Sequence, residues 1–236
     1  MRYYGIYLVT LVMVFMTLLC SCAKPATAPA PTPSPTQANV ITLPEPRYDS
    51  DVSIEQSLLK RRSTRSYTGE PVTLQELSQL LWAAQGITDS GRGFRTAPSA
   101  GALYPLEVYV VAGDVQNLVS GIYKYEPDGH ELARLIDGDK RSELADVALA
   151  QPCVKEGALA IVFTAVYERT TVKYGERGIR YVHIEVGHAA QNVCLQAVAM
   201  GLGIVPVGAF HDEPVARLLN LPDNEQPLYI IPVGRK

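Results

Sequence analysis

The sequence predicts one sizeable domain that mixes helices with strands, preceded by a segment that takes no part in its core. Three observations carry this. Leu159 to Tyr167 is a continuous apolar run with Ile161, Val162, Phe163 and Val166, bounded by Gly157 and a polar stretch, the pattern of a buried central strand. Thr73 and Glu76 form a capping box before the apolar stripe Leu77, Leu80, Leu81 and Ala84, the pattern of an amphipathic helix that Gly86 stops. From Ala23 to Pro46 the chain is rich in Pro, Ala, Thr and Ser, with Pro25, Pro29, Pro31, Pro33, Pro35, Pro44 and Pro46. Such a stretch favours extended polyproline geometry and cannot build a core.

A chain of 236 residues, 47% of them hydrophobic, has room for one domain with appendages and enough apolar material for its core. The net charge of -3 gives no global basic surface for nucleic acid and no acidic excess of the kind that keeps a chain disordered.

The first residues carry Arg2, an apolar run from Ile6 to Leu19, and then Cys20-Ser21-Cys22. The run is too short for a comfortable membrane span and reads as an export signal. Leu19 and Ser21 before Cys22 resemble a bacterial lipobox, with Cys22 as the lipidated residue; an uncleaved membrane anchor is the other reading. Either one places the domain outside the cytoplasmic face of the membrane. The expected organisation is a signal peptide over 1–22, a tether over 23–51 and a folded domain over 52–236. Cys153 and Cys194 remain in that domain, to pair or, as is preferred, to be two buried thiols.

Within the domain, Ile54, Leu58 and Leu59 are spaced for one face of a short helix that ends at Lys60-Arg61-Arg62-Ser63-Thr64-Arg65-Ser66-Tyr67. The cluster reads either as an anion grip or as a solvated basic helix end. After the capped helix and a Gly- and Ser-containing loop at 89–93, small residues from Ala97 to Ala102 lead into a strand at 107–112. Ile122 to Tyr125 and Leu132 to Ile136 flank Pro127-Asp128-Gly129, a hairpin signal. Lys140 to Ala150 has helical periodicity. Beyond the buried strand and a polar, aromatic segment, a long helix is expected from about Ile179 to Met200, stopped by Gly201-Leu202-Gly203. Pro206 to Phe210 is a tight loop, Asp212 and Pro214 open a short helix to Leu219, and Leu228 to Val233 is a last strand.

Three chemistries are set aside or left incomplete by spacing. His183, Glu185 and His188 share one helical stretch, but no second Glu-x-x-His pair completes a metal site, and they read as satisfied helix residues. Gly201-x-Gly203 follows a helix, where a dinucleotide fingerprint needs a strand before it. No Gly-x-Ser-x-Gly occurs for a hydrolase nucleophile.

The order Arg61-Arg62-Ser63-x-Arg65, then Ala97-Pro98-Ser99-Ala100-Gly101-Ala102-Leu103-Tyr104-Pro105, then Gly201 to Gly208 resembles the nitroreductase superfamily of FMN flavoproteins. More narrowly the chain is similar to the McbC- or SagB-type dehydrogenases and azoline oxidases. The narrower likeness rests on Gly121-Ile122-Tyr123-Lys124-Tyr125 before Gly129-His130-Glu131-Leu132, on Tyr167-Glu168-Arg169 before Lys173-Tyr174-Gly175-x-Arg177, and on Gly187-His188-Ala189-Ala190-Gln191-Asn192. The resemblance covers nearly everything from Val52 onward. It implies an α+β fold, a central mixed β-sheet flanked by helices, in a homodimer with FMN at the interface.

By position, it implies that Arg61, Arg62, Ser63 and Arg65 hold the FMN phosphate and ribityl chain, and that Arg235 closes on the phosphate. Ser99, Ala100 and Gly101 would approach the ring from the partner subunit, with Val207 and Gly208 beside its reactive edge. It further implies a Lys173 and Tyr174 pair in catalysis and small-molecule electron donors or acceptors, nicotinamide being the superfamily's usual donor. The export signal departs from the azoline oxidases, which modify peptides in the cytoplasm, and this leaves two further readings open: a peptide azoline dehydrogenase, or a lipoprotein that binds flavin without catalysis.

Overall fold

The structure is a computed structural model, and it describes residues 40–236. The predicted signal peptide, Cys22 and most of the tether lie outside the described residues. In chain order the elements are β1 (Val40–Thr42), α1 (Ile54–Lys60), β2 (Val72–Thr73), α2 (Leu74–Gln85), β3 (Ile87–Asp89) and β4 (Phe94–Arg95). A 3-10 turn at Ala100–Ala102 leads into β5 (Leu106–Ala112), β6 (Val115–Gln116), β7 (Gly121–Glu126) and β8 (Glu131–Asp137). Then come α3 (Arg141–Val147), α4 (Pro152–Glu156), β9 (Leu159–Ala165), α5 (Glu168–Tyr174) and α6 (Arg177–Ala199). The domain ends with β10 (Leu202–Ile204), α7 (Asp212–Leu219) and β11 (Gln226–Arg235).

Seven strands form one sheet in the order β1-β8-β7-β5-β9-β11-β10. The strand pairs within it are antiparallel, and the parallel component comes at the β10 edge, where Ser63 bridges Ile204. β9 lies between β5 and β11, as its apolar run predicts, and its seven residues are all buried. Because side chains alternate, Leu159, Ile161, Phe163 and Ala165 enter the core under α2 and α6. Ala160 and Val162 enter the other core, under α3, α4 and α7. The sheet is therefore a middle layer between two helical layers.

α2 starts where the capping box predicts. Thr73 Oγ1 accepts from the Glu76 N–H at 3.2 Å and Glu76 Oε2 accepts from the Thr73 N–H at 2.8 Å. Its buried stripe packs on α6, whose Ala189, Ala190 and Ala197 let the two helices approach. Cys153 and Cys194 are both free and buried, and burial pushes the Cys194 thiol up to about 11.

Two boundaries differ from expectation. The tether was to run to residue 51, but Val40–Thr42 pairs with β8, Leu43 is 4% exposed, and the Arg47 backbone exchanges hydrogen bonds with the Gln79 side chain at 2.7 and 3.0 Å. The β-prone run Val40-Ile41-Thr42-Leu43 supplies a strand to the open edge of β8, and this outweighs the flanking prolines. At the end of α6, Gly201 alone makes the turn, in the left-handed region at φ 74°; Leu202 and Gly203 already belong to β10. Gly203 is needed there for space, since a Cβ would lie 2.8 Å from the Thr64 side chain.

Candidate active site

The basic cluster forms the first half of the site. Arg61 caps α1 by donating its N–H to Ser57 O at 3.0 Å, and the chain then runs along the edge of the sheet. Thr64 N–H donates to Ile204 O at 2.8 Å, Thr68 N–H donates to Arg235 O at 3.0 Å, and the Tyr67 ring covers Gly203 and Gly234. Main-chain bonds thus fix the segment while its side chains stay accessible. Arg62 and Arg65 are exposed and Arg61 is half-buried. Ion pairs among the described residues involve other cations, so Arg61, Arg62 and Arg65 face no neutralising carboxylate. Arg62 Nη1 donates back to Leu59 O at 3.2 Å and Arg61 O at 2.7 Å, and guanidiniums without a carboxylate partner on a fixed backbone are suited to an oxyanion ligand.

Val207 and Gly208 follow on the same edge, three and four residues past Ile204. Val207 and Ile230 exchange both backbone bonds, N–H to O at 2.7 and 3.0 Å, so the Val207 N–H is occupied. Gly208 is exposed and has no backbone partner among the described residues. Of the two, Gly208 is the available donor.

Arg235, expected at the phosphate, has partners inside the chain. Its two terminal nitrogens donate to the two carboxylate oxygens of Glu76, each at 2.8 Å, and its Nε donates to Pro71 O at 3.3 Å. Glu76 is already the capping residue of α2, so the bidentate pair ties the end of β11 to the start of that helix. Three of the five guanidinium N–H groups of Arg235 are thus engaged within the chain, and one on each terminal nitrogen remains.

The second half of the site is the loop from Pro98 to Pro105. Its backbone is strained: Gly101, Ala102 and Tyr104 take φ of 66°, 54° and 45°. Tyr104 is pinned from every side. Its N–H donates to Ser99 Oγ at 2.9 Å, its carbonyl accepts from Arg169 at 3.0 Å, its hydroxyl accepts from the Arg95 N–H at 3.2 Å, and the Arg95 guanidinium lies 4.6 Å from its ring centre. Against this loop the fold sets the pair at the end of α5: a Cβ on Gly101 would lie 2.8 Å from the Tyr174 hydroxyl and 2.9 Å from Lys173 Nζ. Lys173 is exposed and Tyr174 half-buried, with the Tyr181 ring packed edge-on at 5.1 Å. Ser99, Ala100, Gly101, Lys173 and Tyr174, far apart in sequence, are one place. No described contact joins them to Arg61–Arg65.

The chain's metal-like trio separates by environment. His183 Nε2 and the Tyr167 hydroxyl are 2.7 Å apart at the surface, and His188 lines the recess beside Ser99. Glu185 is different from the satisfied residue expected. It is buried, Oε1 has no partner among the described residues, and burial pushes its carboxyl up to about 7 against the opposing Ser99 hydroxyl and Arg95 charge. Its position was readable, because Glu185 falls on the same helical face as Val182, Val186 and Ala189.

A sheet between helical layers, with a strained small-residue loop facing a lysine-tyrosine pair, defines an enzyme of the nitroreductase-like α+β fold. The chain belongs to the nitroreductase family, whose profile, described as "Nitroreductase family", matches residues 58–235. A Methanocaldococcus jannaschii protein named as a nitroreductase is 50% identical over 186 residues, which is 79% of this chain and 92% of that protein. The Escherichia coli microcin B17-processing protein McbC is 28% identical over 160 residues, 64% of this chain and 57% of that protein. A crystal structure of a Ralstonia eutropha protein described as a nitroreductase superposes with a TM-score of 0.73 at 31% identity, covering 86% of this chain and 91% of that one. The chain is accordingly an oxidoreductase of this family.

Proposed function

We propose that this oxidoreductase is FMN-dependent and works as a homodimer on small-molecule electron donors and acceptors. The observation that carries the reading is the set of guanidiniums at Arg61, Arg62 and Arg65, unneutralised among the described residues and fixed on the sheet edge beside the open Gly208. The residues present fit FMN: cations for its phosphate, and at Gly208 exposed backbone whose nearest neighbour to a Cβ is Tyr229 at 3.7 Å, bare enough for a planar ring to approach. Arg61, Arg62, Ser63 and Arg65 would hold the phosphate and ribityl chain, and Gly208 would present its N–H to the ring. Bound FMN supplies two-electron chemistry that no side chain has.

The homodimer is supported by apolar side chains left in water. Ile54, Leu58 and Leu59 of α1 are 55, 55 and 66% exposed, and Ile184 of α6 is 49% exposed. The stripe that predicts α1 therefore faces away from its own core, and a second copy would bury it. In that pairing Ser99, Ala100 and Gly101 of one subunit complete the site begun by Arg61–Arg65 of the other. Lys173 is exposed in the single chain, and closure of the site would strip its ammonium of water, as a lysine base requires.

A peptide azoline dehydrogenase is the second reading, supported by the likeness to McbC and by Lys173 and Tyr174 converging on Gly101. There Lys173 would take a proton from the substrate, and bound FMN would supply the acceptor for the hydride that the dehydrogenation also removes. We further propose that the chain is exported and held at the membrane by lipid on Cys22, with the domain free of the tether from Val40 onward. Purified full-length chain reconstituted with FMN tests the central reading: protein that never acquires flavin absorbance sinks it, and bound flavin that never turns over with any acceptor reduces it to a binding module. A detergent-phase protein whose Cys22 carries no lipid by mass spectrometry removes the export proposal alone.

A further inference from the structure

Glu185 belongs to neither half of the site as drawn above, yet it stands directly behind one of them. It is 2% exposed on α6, and its Oε1 is without a hydrogen bond among the described residues. Buried carboxyl oxygens are nearly always paired, so an orphan of this kind calls for an explanation. The residue borders a recess of about 270 Å³, with Pro98, Ser99 and Ala100 on one wall and Tyr181, Ile184 and His188 on the other. Ser99 and Glu185 border the same recess, and because Ser99 Oγ already accepts from the Tyr104 N–H at 2.9 Å, its own hydrogen is left to be donated across that recess toward the Glu185 carboxyl. A chain of polarisable groups thus runs from Glu185 through Ser99 to Tyr104, the pinned residue of the loop, itself left-handed at φ 45° and preceded by Ala102 at φ 54°. Strained backbone stored in a loop is what a small change in one hydrogen bond can move.

We propose that Glu185 is a positioning residue: through Ser99 its carboxyl sets the Pro98–Gly101 loop, and loss of its proton draws that loop toward α6 and resets Gly101 against Lys173 and Tyr174. The physical cause is the strength of one bond. A neutral carboxyl receives the Ser99 hydroxyl as an ordinary acceptor, whereas a carboxylate receives it through a shorter, charge-assisted bond. Polarised in this way, Ser99 Oγ also becomes a better acceptor for the Tyr104 N–H. The charged and titratable groups that face Glu185 or its loop are Arg95 from β4, Tyr104 in the loop, Tyr181 and His188 on α6, and Arg169 (paired with Glu107), Lys173 and Tyr174 on α5. Arg95 favours the carboxylate and burial opposes it, which leaves the proton exchangeable near pH 7.

The amide signals of Tyr104 and Gly101 in the full-length, FMN-free chain test this by NMR between pH 5 and pH 9. Both are expected to follow one transition near pH 7 in the wild type and to be flat in Glu185→Gln. In Ser99→Ala the Glu185 carboxyl, followed by its own carbon signal, should still titrate while Tyr104 no longer responds. Wild-type amides that do not titrate, or a transition that survives in Glu185→Gln and so belongs to His188, overturn the proposal. Should Glu185→Gln fail to fold, Ser99→Ala decides, because a Tyr104 transition that persists there overturns it equally.

Stability gives a second readout. A carboxyl raised from 4.5 to about 7 is neutral in both states below pH 4.5, and its contribution is lost as pH rises toward 7, since the folded chain must then give up a proton it holds more tightly. The wild type should therefore lose stability over that window relative to Glu185→Gln, and parallel curves count against the proposal. With FMN bound, kcat should lose an inflection near pH 7 in Glu185→Gln at unchanged KM. Only this last arm rests on the oxidoreductase reading: failure to bind FMN would sink that reading and leave the amide titration standing.

Discussion

Along β10 the main chain from Ser63 to Thr68 is held by ladder-like bonds and leaves its guanidiniums in water, whereas around Gly101 the main chain is strained and the side chains converge. The two regions divide the work. Arginines that stay charged at every accessible pH can bind an anion and do nothing else with protons. Glu185, whose carboxyl burial pushes up to about 7, sits with Lys173, Tyr174 and His188 at the strained loop rather than at the basic edge. In this domain, affinity for a charged ligand and control of protons are built into different parts of the chain.

Substitutions at the two regions should therefore separate binding from turnover. Replacing Arg61 and Arg65 together by Ala is expected to weaken FMN binding by roughly 10²- to 10⁴-fold, each charge-assisted contact being worth about 1.5–3 kcal/mol. Flavin fluorescence titration checks this, and turnover at saturating FMN should change far less. Lys173→Ala should do the opposite, lowering turnover by roughly 10²-fold or more with FMN affinity unchanged, as expected for loss of a positioned base. Equal losses in both quantities from either variant would dissolve the distinction.

Gly101→Ala sharpens it further. The new Cβ would meet Tyr174 and Lys173 at 2.8 and 2.9 Å in a left-handed backbone, so it should cost about 1–2 kcal/mol in thermal unfolding and displace the pair. Turnover should fall more than FMN affinity does. The smallest effect on the ligand is expected from Arg235→Ala. Breaking its pair with Glu76 should lower stability by about 1–2 kcal/mol for a partly exposed bidentate bridge, while FMN affinity stays within a few-fold. A loss of affinity matching that of Arg61 would restore Arg235 to the phosphate.

Much of this was legible in residues. The capping box of α2, the hairpin of β7 and β8, and the central place of β9 follow from short-range patterns that each specify one local geometry. The basic cluster, the small-residue loop and the Lys173-Tyr174 pair were readable as types, but that the last two are one site depends on α5 turning back over the loop, which no local spacing encodes. The Arg235–Glu76 pair was not legible, because a guanidinium suits a carboxylate as well as a phosphate and only the fold shows that Glu76 is within reach. β1 was hidden because Val40 to Leu43 is too short to outweigh the prolines around it until the edge of β8 is there to receive it.

β11 is the last strand of the domain in sequence and an interior strand in space, paired with β9 on one side and β10 on the other. During synthesis it emerges after every other strand, so until its residues are available β9 keeps a bare edge and Arg235 cannot reach Glu76. The domain therefore cannot complete its sheet before its final strand is made.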